Sequence, residues 1–433
     1  MKLAIAGLWH CGLVTAACAA TRHTVVATDV DPSTLSLLRS GKTPIFEPGL
    51  DELISRDLAG GTLSFAALGE AVGGADVLWM AYDTPVAEDD RPDVAFVRDR
   101  ADELRRARPE ALLLISSQIP SGFSSDLQAA HMAEFGHRLR IAYSPENLRL
   151  GTAIATFLEA DRFVIGVDDD DDRRVLADVF GSFERPIVWM SVASAEVTKH
   201  AINGFLATSI SFINEIAAVC EASGADVAEV ERGLRSDTRI GPTSYVKPGP
   251  GYAGGTLARD VQTLSMLGDR HGLPLPMLRS LPKSNDLNKA WLRRRLEAEL
   301  ALAGSIVAIV GLTYKGGTNT LRRSSALELA TWLLTAGAVV RAYDPAVNPD
   351  DEALPDGLEI VDSLAAALAG ADALAIVNDV PGLRELRALD AANAMRGPAL
   401  VLDAPRTLTS DYLAEPRLRY RSIGVAAAEP VCG

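Results

Sequence analysis

Short apolar runs of four to six residues alternate with longer amphipathic stretches along most of this chain. Buried parallel strands read as continuous apolar runs, and the helices that cover them read as amphipathic stretches. The alternation therefore predicts an α/β fold with doubly wound sheets in the first and last parts of the chain. The predicted strands are residues 3–6, 24–28, 77–81, 111–116 and 163–167, then residues 305–311, 339–343, 373–377 and 399–402.

The strand signal fades between about residue 193 and residue 290, where apolar residues recur at helical spacing. A long helix is predicted from Ala195 through Glu221. The length of 433 residues exceeds what one hydrophobic core supports, which favours several domains. We expect an N-terminal α/β domain over residues 1–190, a central helical domain over residues 191–295 and a smaller C-terminal α/β domain over residues 296–433.

Composition and charge narrow the class of protein. No apolar run approaches the roughly 20 residues of a membrane span, and the net charge of -15 disfavours nonspecific binding to nucleic acid or to an anionic membrane. The run of acids at residues 168–172 lacks the alternating ligand spacing of a calcium loop, so no metal is expected. Because the cysteines lack paired spacing, we expect reduced thiols and a cytoplasmic protein. The four cysteines are Cys11, Cys18, Cys220 and Cys432.

A glycine-containing turn, Gly7 to Gly12, follows the first predicted strand, and Asp29 stands at the end of the second. This is the context of a G-x-G-x-x-G dinucleotide turn, in which the helix N-terminus attracts the pyrophosphate and the acid favours NAD over NADP. Trp9 stands where the second glycine would let the backbone approach the phosphates. Its indole must point away, or the cofactor must sit differently; the alternative is a turn filled by aromatic packing that holds no cofactor.

Residues 251–260 read G-Y-A-G-G-T-L-A-R-D. They resemble the G-F-G-G-S-C-F-P-K-D signature of the UDP-glucose/GDP-mannose dehydrogenase family. The family's catalytic Cys falls on Thr256, its Lys on Arg259 and its Asp on Asp260. In that family the Cys captures an aldehyde as a thiohemiacetal, so that a second hydride can leave and thioester hydrolysis can yield an acid. An unactivated alcohol is not ionised near neutral pH, which implies that the covalent step is altered in this chain.

Further stretches are similar to the family's motifs and extend the resemblance over nearly the whole chain. It implies two Rossmann-like doubly wound domains joined by a long central helical segment. The matching stretches are P-I-F-E-P-G-L at residues 44–50, D-T-P at 83–85, S-Q-I-P at 117–120, Y-S-P-E-N-L-R-L-G at 143–151, E-V-T-K-H-A-I-N-G-F-L-A at 196–207, G-L-T-Y-K-G-G-T at 311–318 and L-R-R-S-S at 321–325.

The resemblance also implies catalytic roles for side chains near the altered loop. Glu146 takes the place of the family's general base, and Asp260 that of an acid/base or water-orienting group beside Thr256. Lys199 and Asn203 are one helical turn apart, so both can project from one face. In the family this pair holds the sugar's reacting oxygen and a catalytic water. A lysine stabilises a developing alkoxide without help from a thiol.

Binding contacts follow from the same resemblance. An NAD site is implied by residues from both α/β domains: Gly7, Trp9, Gly12, Asp29, Thr84, Gln118 and Arg322. A nucleotide-sugar site is implied by Glu146, Leu148, Lys199, Asn203, Tyr252, Gly254, Gly255 and Lys315, with Arg239 contributed by the partner subunit of a homodimer.

Together these residues predict an NAD-dependent nucleotide-sugar dehydrogenase, similar to a UDP-glucose 6-dehydrogenase, that removes hydride from C6 of a UDP-hexose. The expected product is an aldehyde or its hydrate. One alternative is full oxidation to the uronate without a covalent intermediate, through a gem-diol formed by water near Glu146 or Asp260. A second alternative is a catalytically idle nucleotide-sugar-binding protein, motivated by four departures from the family's motifs together: Trp9, Gln118, Leu150 and Thr256.

Overall fold

A computed structural model describes residues 1–85, 93–146, 148 and 150–426. They fold into two compact units, Met1–Ala201 and Ile202–Gly433. Each unit contains a sheet with a hydrophobic core on both of its faces. In the first strand, for example, Leu3 and Ile5 belong to one core whereas Ala4 belongs to the other. Burial on both faces explains why the strands read as continuous apolar runs.

The sheet of the first unit has eight strands within the described residues. They are β1 (Lys2–Ala6), β2 (Thr24–Thr28), β3 (Leu63–Phe65), β4 (Val77–Met80), β5 (Leu112–Ile115), β6 (Ile141–Tyr143), β7 (Phe163–Val167) and β8 (Ile187–Met190). Their order is β3-β2-β1-β4-β5-β6-β7-β8, and neighbours are parallel except for the antiparallel pair β6 and β7. The strand order reverses between β1 and β4, which opens a crevice at their carboxyl ends.

Helices cover both faces of this sheet. They are α1 (His10–Ala20), α2 (Pro32–Arg39), α3 (Leu50–Ala59), α4 (Leu68–Ala71), α5 (Val94–Ala107), α6 (Phe123–Phe135), α7 (Ala153–Leu158) and α8 (Asp170–Gly181). Asp169, within the acidic run, is the N-cap of α8 and accepts hydrogen bonds from two backbone N–H groups of its first turn. Asp172 of the same run is buried and forms an ion pair with the partly exposed Arg140, so the run combines a helix cap with one ion pair.

The longest helix, α9 (Val192–Ser223), runs through the boundary between the two units. It extends the helix predicted from the sequence by less than one turn at each end. It is also long and apolar enough to cross a membrane by length and composition, with 39% of its most apolar window buried. The expectation that no segment reaches that length is therefore wrong for α9, although the core helix of a globular protein meets the same criterion.

The second unit begins with helices and continues into a second sheet. The helices are α10 (Val227–Ser236), α11 (Thr256–Arg270), α12 (Pro276–Lys289) and α13 (Trp291–Glu299). The strands are β9 (Ile306–Val310), β10 (Val339–Tyr343), β11 (Glu359–Ile360), β12 (Ala373–Ile376), β13 (Ala399–Asp403) and β14 (Leu418–Ser422), and the helices between them are α14 (Ser325–Thr335), α15 (Leu364–Leu368), α16 (Ala388–Ala394) and α17 (Asp411–Ala414). The six strands are parallel in the order β11-β10-β9-β12-β13-β14, which repeats the order of the first six strands of unit 1.

The predicted α/β fold with two doubly wound sheets and a long central helix is confirmed. All nine predicted strands form, and the sequence missed five others. Four of these, β3, β8, β11 and β14, are the edge strands of the two sheets. Strand β14 reads L-R-Y-R-S, because an edge strand does not need an apolar residue at every position. The division at residues 190 and 295 stays a prediction.

Candidate active site

The turn after β1 requires close backbone contact. Gly7 has φ +98°, and a Cβ atom on it would lie 2.6 Å from the backbone N of Tyr82. A Cβ atom on Gly12 would lie 1.6 Å from the carbonyl O of Gly7, so α1 packs directly against the turn. No side chain fits at either position, which is the requirement of a dinucleotide-binding turn.

Trp9, at the position of the second glycine, is the N-cap residue of α1. Its backbone has φ -89° and ψ -154°, which any residue can adopt. Its side chain is 56% exposed, so the indole points away from the core. The turn is therefore not filled by a buried aromatic ring, and Gly7 and Gly12 keep the backbone geometry that NAD needs.

Asp29 directly follows β2 and lies beside the glycine turn. Its Oδ2 accepts a hydrogen bond from the N–H of Leu8 at 2.6 Å, and its Oδ1 accepts one from the N–H of Asp31 at 2.9 Å. Since the carboxylate is only partly buried, the oxygen lone pairs not used by the backbone are available to ribose hydroxyls.

Thr84 and Gln118, two residues predicted to contact NAD, follow the adjacent strands β4 and β5. The hydroxyl of Thr84 donates a hydrogen bond to the carbonyl O of Gln118 at 2.7 Å. Next to Thr84, the Oδ2 atom of Asp83 accepts a hydrogen bond from the N–H of Cys11 in the first turn of α1 at 3.3 Å. The structure thus brings both residues to the carboxyl ends of strands beside the dinucleotide turn.

Lys199 and Glu146 are in contact within the first unit. Lys199 lies on α9 and is only 7% exposed. Its Nζ donates a hydrogen bond to the carbonyl O of Glu146 at 2.6 Å and lies 4.0 Å from the carboxylate Oε1. The other carboxylate oxygen, Oε2, accepts a hydrogen bond from the N–H of Leu148 at 2.8 Å. A fixed ammonium of this kind stabilises negative charge that develops next to it.

A cavity of about 70 Å³ adjoins Glu146 within the first unit. Its wall combines the rings of Trp79 and Phe157 with the hydroxyls of Ser116 and Ser144. The indole N–H of Trp79 donates to Ser116 Oγ at 2.8 Å. A cavity of this size, with two hydroxyls in its wall, has room for an ordered water next to the carboxylate.

The three described thiols are all buried. Burial raises the pKa of Cys11 well above its usual value, and the nearby charges of Glu146 and Asp83 raise it further. Burial also raises the pKa of Cys18 to about 12 and that of Cys220 above its usual value. Cys432 lies outside the described residues. None of the three described thiols is therefore poised to act as a thiolate nucleophile.

In the second unit, Thr256 is the first residue of α11 and Gly255 is its N-cap. Asp260 lies one turn further along α11, is fully buried and accepts a hydrogen bond from the side-chain amide of Asn203. The residues Thr256 and Asp260 share one face of the helix because they are four positions apart. The structure thus brings Asn203 and Asp260, two of the predicted catalytic residues, into contact.

The glycine loop before α11 contacts the aromatic ring of Tyr314. Gly254 has φ +73°, and a Cβ atom on it would lie 2.8 Å from Cδ2 of that ring. Tyr252 is 8% exposed and exchanges two backbone hydrogen bonds, each of 2.9 Å, with the side-chain amide of Asn285. Burial raises the pKa of the Tyr252 hydroxyl to about 12. The backbone of the loop is therefore held on both sides before Thr256 is reached.

A second turn resembling the first follows β9. The Oδ2 atom of Asp344 accepts hydrogen bonds from the N–H groups of Leu312 and Thr313 at 2.8 and 3.1 Å. Lys315 is exposed in the same loop, and a cleft of about 400 Å³ lies next to it, lined by residues that include Asp379 and Arg384. This cleft follows β9 and β12, where the strand order reverses, which is the usual ligand position in such sheets.

Two other predicted arginines are on the surface of the second unit. Arg239 has an 87% exposed side chain and forms a two-pronged ion pair with Asp237 at 3.0 and 2.7 Å. Arg322 is also exposed. Its neighbour Arg323 has φ +57° and lies close to Gly255.

No role was predicted for Glu47 from the sequence, although residues 44–50 match a family motif. The structure shows a buried carboxylate that contacts His10 at the start of α1. No local pattern reveals this contact, because its further partners, Gly151 and Ala153, are more than 100 positions away in the chain.

The chain contains two doubly wound folds. The first has a glycine turn followed by an acidic residue at the end of its second strand, and a buried lysine lies beside a loop carboxylate. This combination defines a dinucleotide-dependent dehydrogenase. Three models of one family match the chain in order: its NAD binding domain over residues 1–184, its central domain over residues 193–287 and its UDP binding domain over residues 308–410. The chain belongs to the UDP-glucose/GDP-mannose dehydrogenase family. It is an NAD-dependent oxidoreductase, and the predicted cofactor is confirmed.

Proteins similar to this chain match it over almost its whole length. A UDP-glucose 6-dehydrogenase of Rhizobium meliloti is 35% identical, with 98% of this chain and 99% of the relative covered. The UDP-glucose 6-dehydrogenase YwqF of Bacillus subtilis is 32% identical, with 99% of both covered. The solved structure of a UDP-glucose dehydrogenase from Pyrobaculum islandicum has a TM-score of 0.85 at 31% identity, with 98% of both chains covered.

Proposed function

We propose that this enzyme removes hydride from C6 of a UDP-hexose, in the manner of a UDP-glucose 6-dehydrogenase. Bound NAD supplies the hydride acceptor. The observation that carries the proposal is the buried ammonium of Lys199, 4.0 Å from the carboxylate of Glu146. The sugar hydroxyl loses its proton to a base as the C–H bond transfers its hydride to NAD. A fixed cation stabilises the negative charge that develops on the oxygen as the proton leaves, until the carbonyl forms.

Asn203, Asp260 and Thr256 complete the proposed catalytic set. Asn203 contributes an amide that is already oriented by its hydrogen bond to Asp260. Asp260, four positions after Thr256 on α11, is suited to hold a proton or orient a water near the reacting carbon. These roles rest on the family resemblance together with the Asn203–Asp260 contact.

The product we propose is the aldehyde or its hydrate. Thr256 occupies the position that the resemblance assigns to the catalytic Cys, and a threonine hydroxyl stays protonated near neutral pH, whereas a thiol ionises in part. The described thiols offer no substitute, since burial raises the pKa of Cys11, Cys18 and Cys220. A water molecule bound in the cavity beside Glu146 would be placed to hydrate the aldehyde, so full oxidation through the gem-diol is the second candidate.

Counting NADH per sugar distinguishes the two products. We expect about one NADH for each UDP-glucose consumed if the aldehyde is released. Two NADH and a uronate product would favour the gem-diol route. Screening UDP-, GDP- and dTDP-hexoses in the same assay identifies the donor. A protein that binds a UDP-sugar but reduces no NAD with any of them would contradict the proposed function and favour an idle binding protein.

For the cofactor, we propose contacts with the glycine turn, Asp29, Thr84 and Gln118 in the first unit, with Arg322 as a cation for its phosphates. For the nucleotide sugar, we propose contacts with Leu148, Tyr252, Gly254, Gly255 and Lys315. Backbone N–H groups at Gly254 and Gly255 suit sugar hydroxyls, and a fixed cation at Lys315 suits a diphosphate.

We propose a homodimer built on α9, with Arg239 reaching the partner's substrate. Phe205, Phe212 and Val219 are 69%, 48% and 59% exposed and recur every seven residues on this helix. Such spacing keeps apolar side chains on one face, as in a helix that pairs with another helix. The Arg239 side chain is 87% exposed, so it can exchange its ion pair with Asp237 for a contact beyond its own subunit. We also propose the cytoplasm as the compartment, because the described cysteines carry no disulfide.

A further inference from the structure

Glu47 is a buried carboxylate that joins three separate segments of the first unit. Its side chain is 1% exposed. Oε1 accepts a hydrogen bond from the N–H of Ala153 at 2.7 Å, and Oε2 accepts one from the N–H of Gly151 at 2.8 Å. The same Oε2 lies 3.2 Å from Nε2 of His10. Burying a carboxylate costs free energy unless hydrogen-bond donors surround it. The backbone N–H groups and His10 therefore stabilise Glu47, and Glu47 in turn fixes the positions of these groups.

The loop between β6 and α7 carries Glu146, and it is fixed at three points. Its start is tied to the sheet by the hydrogen bond from the N–H of Ser144 to the carbonyl O of Ile115 at 2.8 Å. Lys199 binds the carbonyl O of Glu146 in its middle. Glu47 binds the two backbone N–H groups at its end. The hydrogen bonds of Glu47 thus hold the part of the loop that follows Glu146.

His10 links the same carboxylate to the cofactor turn. It is the first residue of α1, between Trp9 and Gly12. A shift of Glu47 would therefore move the catalytic loop and the start of the dinucleotide helix relative to each other. The distance between a hydride donor and its acceptor depends on that relation, and a displacement of about 1 Å can cost about 100-fold in rate.

We propose that Glu47 is a positioning residue that aligns the loop of Glu146 with the cofactor turn through His10. The proposal rests on the proposed function for its kinetic consequences. The hydrogen bonds of Glu47 themselves do not depend on that function. Local amide exchange therefore tests the positioning role even without a substrate.

The first experiment compares Glu47→Gln with Asp172→Asn in the full-length enzyme. Both variants neutralise a buried carboxylate of the first unit, and Asp172 contacts Arg140 rather than the loop. We expect kcat to fall by about 10- to 100-fold in Glu47→Gln with KM for the nucleotide sugar within about threefold. Asp172→Asn should change kcat by less than about twofold while lowering the melting temperature to a similar extent.

The second experiment separates alignment from general loosening by substituting His10. His10→Leu removes the side-chain nitrogen, whereas His10→Gln keeps an N–H donor of similar reach. We expect His10→Leu to lower kcat by about tenfold and His10→Gln to restore most of it. In the Glu47→Gln background, His10→Leu should lower kcat little further, since both substitutions break the same His10–Glu47 contact. Fully additive losses would mean that His10 does not act through Glu47.

Amide exchange at Gly151 and Ala153 provides the readout that needs no activity. We expect exchange at these two positions to be at least about tenfold faster in Glu47→Gln than in the wild type, and unchanged in Asp172→Asn. Unchanged exchange together with unchanged kcat would overturn the positioning role. A wild-type enzyme that reduces no NAD would contradict the proposed function, and faster exchange in Glu47→Gln would still support the contact.

Discussion

Thr256 is the residue on which the expected product depends. It begins α11 next to a glycine N-cap, with the buried Asp260 one turn further along. A helix N-terminus lowers the pKa of a thiol but leaves an alcohol protonated near neutral pH, because the ordinary pKa values of the two groups differ by many units. The backbone around Thr256 is thus suited to a nucleophile that its own side chain does not provide.

Thr256→Cys should shift the product towards acid. We expect the NADH formed per sugar to rise from about one towards about two, because a thiolate can capture the aldehyde and a second hydride can then leave. Product analysis by mass spectrometry checks the result, with Thr256→Ser as the control that changes size without supplying a thiol. If the cysteine variant forms no additional acid, the geometry of the loop has diverged along with the side chain.

Trp9, like Thr256, departs from the residue type expected at its position, which is the second glycine of the dinucleotide turn. We expect Trp9→Gly to tighten NAD binding by about fivefold, equivalent to about 1 kcal/mol, because glycine lets the backbone approach the pyrophosphate. Calorimetric titration of NAD measures the change, and Trp9→Phe is the control that keeps a ring. Weaker binding in the glycine variant would mean that the exposed indole covers the bound cofactor instead of obstructing it.

The sequence identified individual site residues better than it identified their partners. Gly7, Gly12 and Asp29 could be predicted because their spacing follows from one strand-turn-helix-strand unit. The contact of Lys199 with Glu146 could be expected only through a family resemblance, since the two are 53 positions apart. Glu47 was missed altogether, because a buried carboxylate looks the same in sequence as an exposed one until the segments around it are folded.

At the scale of the elements, the core strands were predictable and the sheet edges were not. Strands β2, β7 and β10 have the predicted limits, because each consists mostly of apolar or β-branched residues between polar turns. Strand β6 (Ile141–Tyr143) is central but only three residues long, too short to carry a pattern of its own. Its position depends on pairing with β5 and β7, which is information that only the folded sheet contains.

Helix α9 leads to a prediction about assembly. Replacing Phe205 and Phe212 by Glu together should convert a dimer into monomers of 45.9 kDa, because two charges would be buried in the proposed helix pair. Sedimentation velocity measures the mass. Leu413→Glu is a matched control, since Leu413 is 62% exposed and lies on α17, outside α9. A dimer that survives the double substitution would show that α9 does not form the interface.

At the scale of the whole molecule, two compact units with separate cores predict separate unfolding. Differential scanning calorimetry should resolve two transitions. NAD at about 100 times its Kd should raise the first unit's transition by about 2.7 kcal/mol of stability, and UDP should act on the other. NAD and UDP serve as controls for each other, because each should shift only one of the two transitions. A single transition shifted equally by both ligands would contradict independent units.

The two acids at the ends of the second strands of the two sheets have different amounts of spare bonding capacity. Asp29 uses one backbone N–H for each oxygen and stays partly open to solvent. Asp344 is 6% exposed and already satisfies N–H groups from Leu312, Thr313 and Ala346. Asp29 can still accept hydrogen bonds from the hydroxyls of a coenzyme, whereas Asp344 uses its oxygens to hold the backbone of its own turn. This difference allows two similar turns in one chain to distinguish between its two nucleotides.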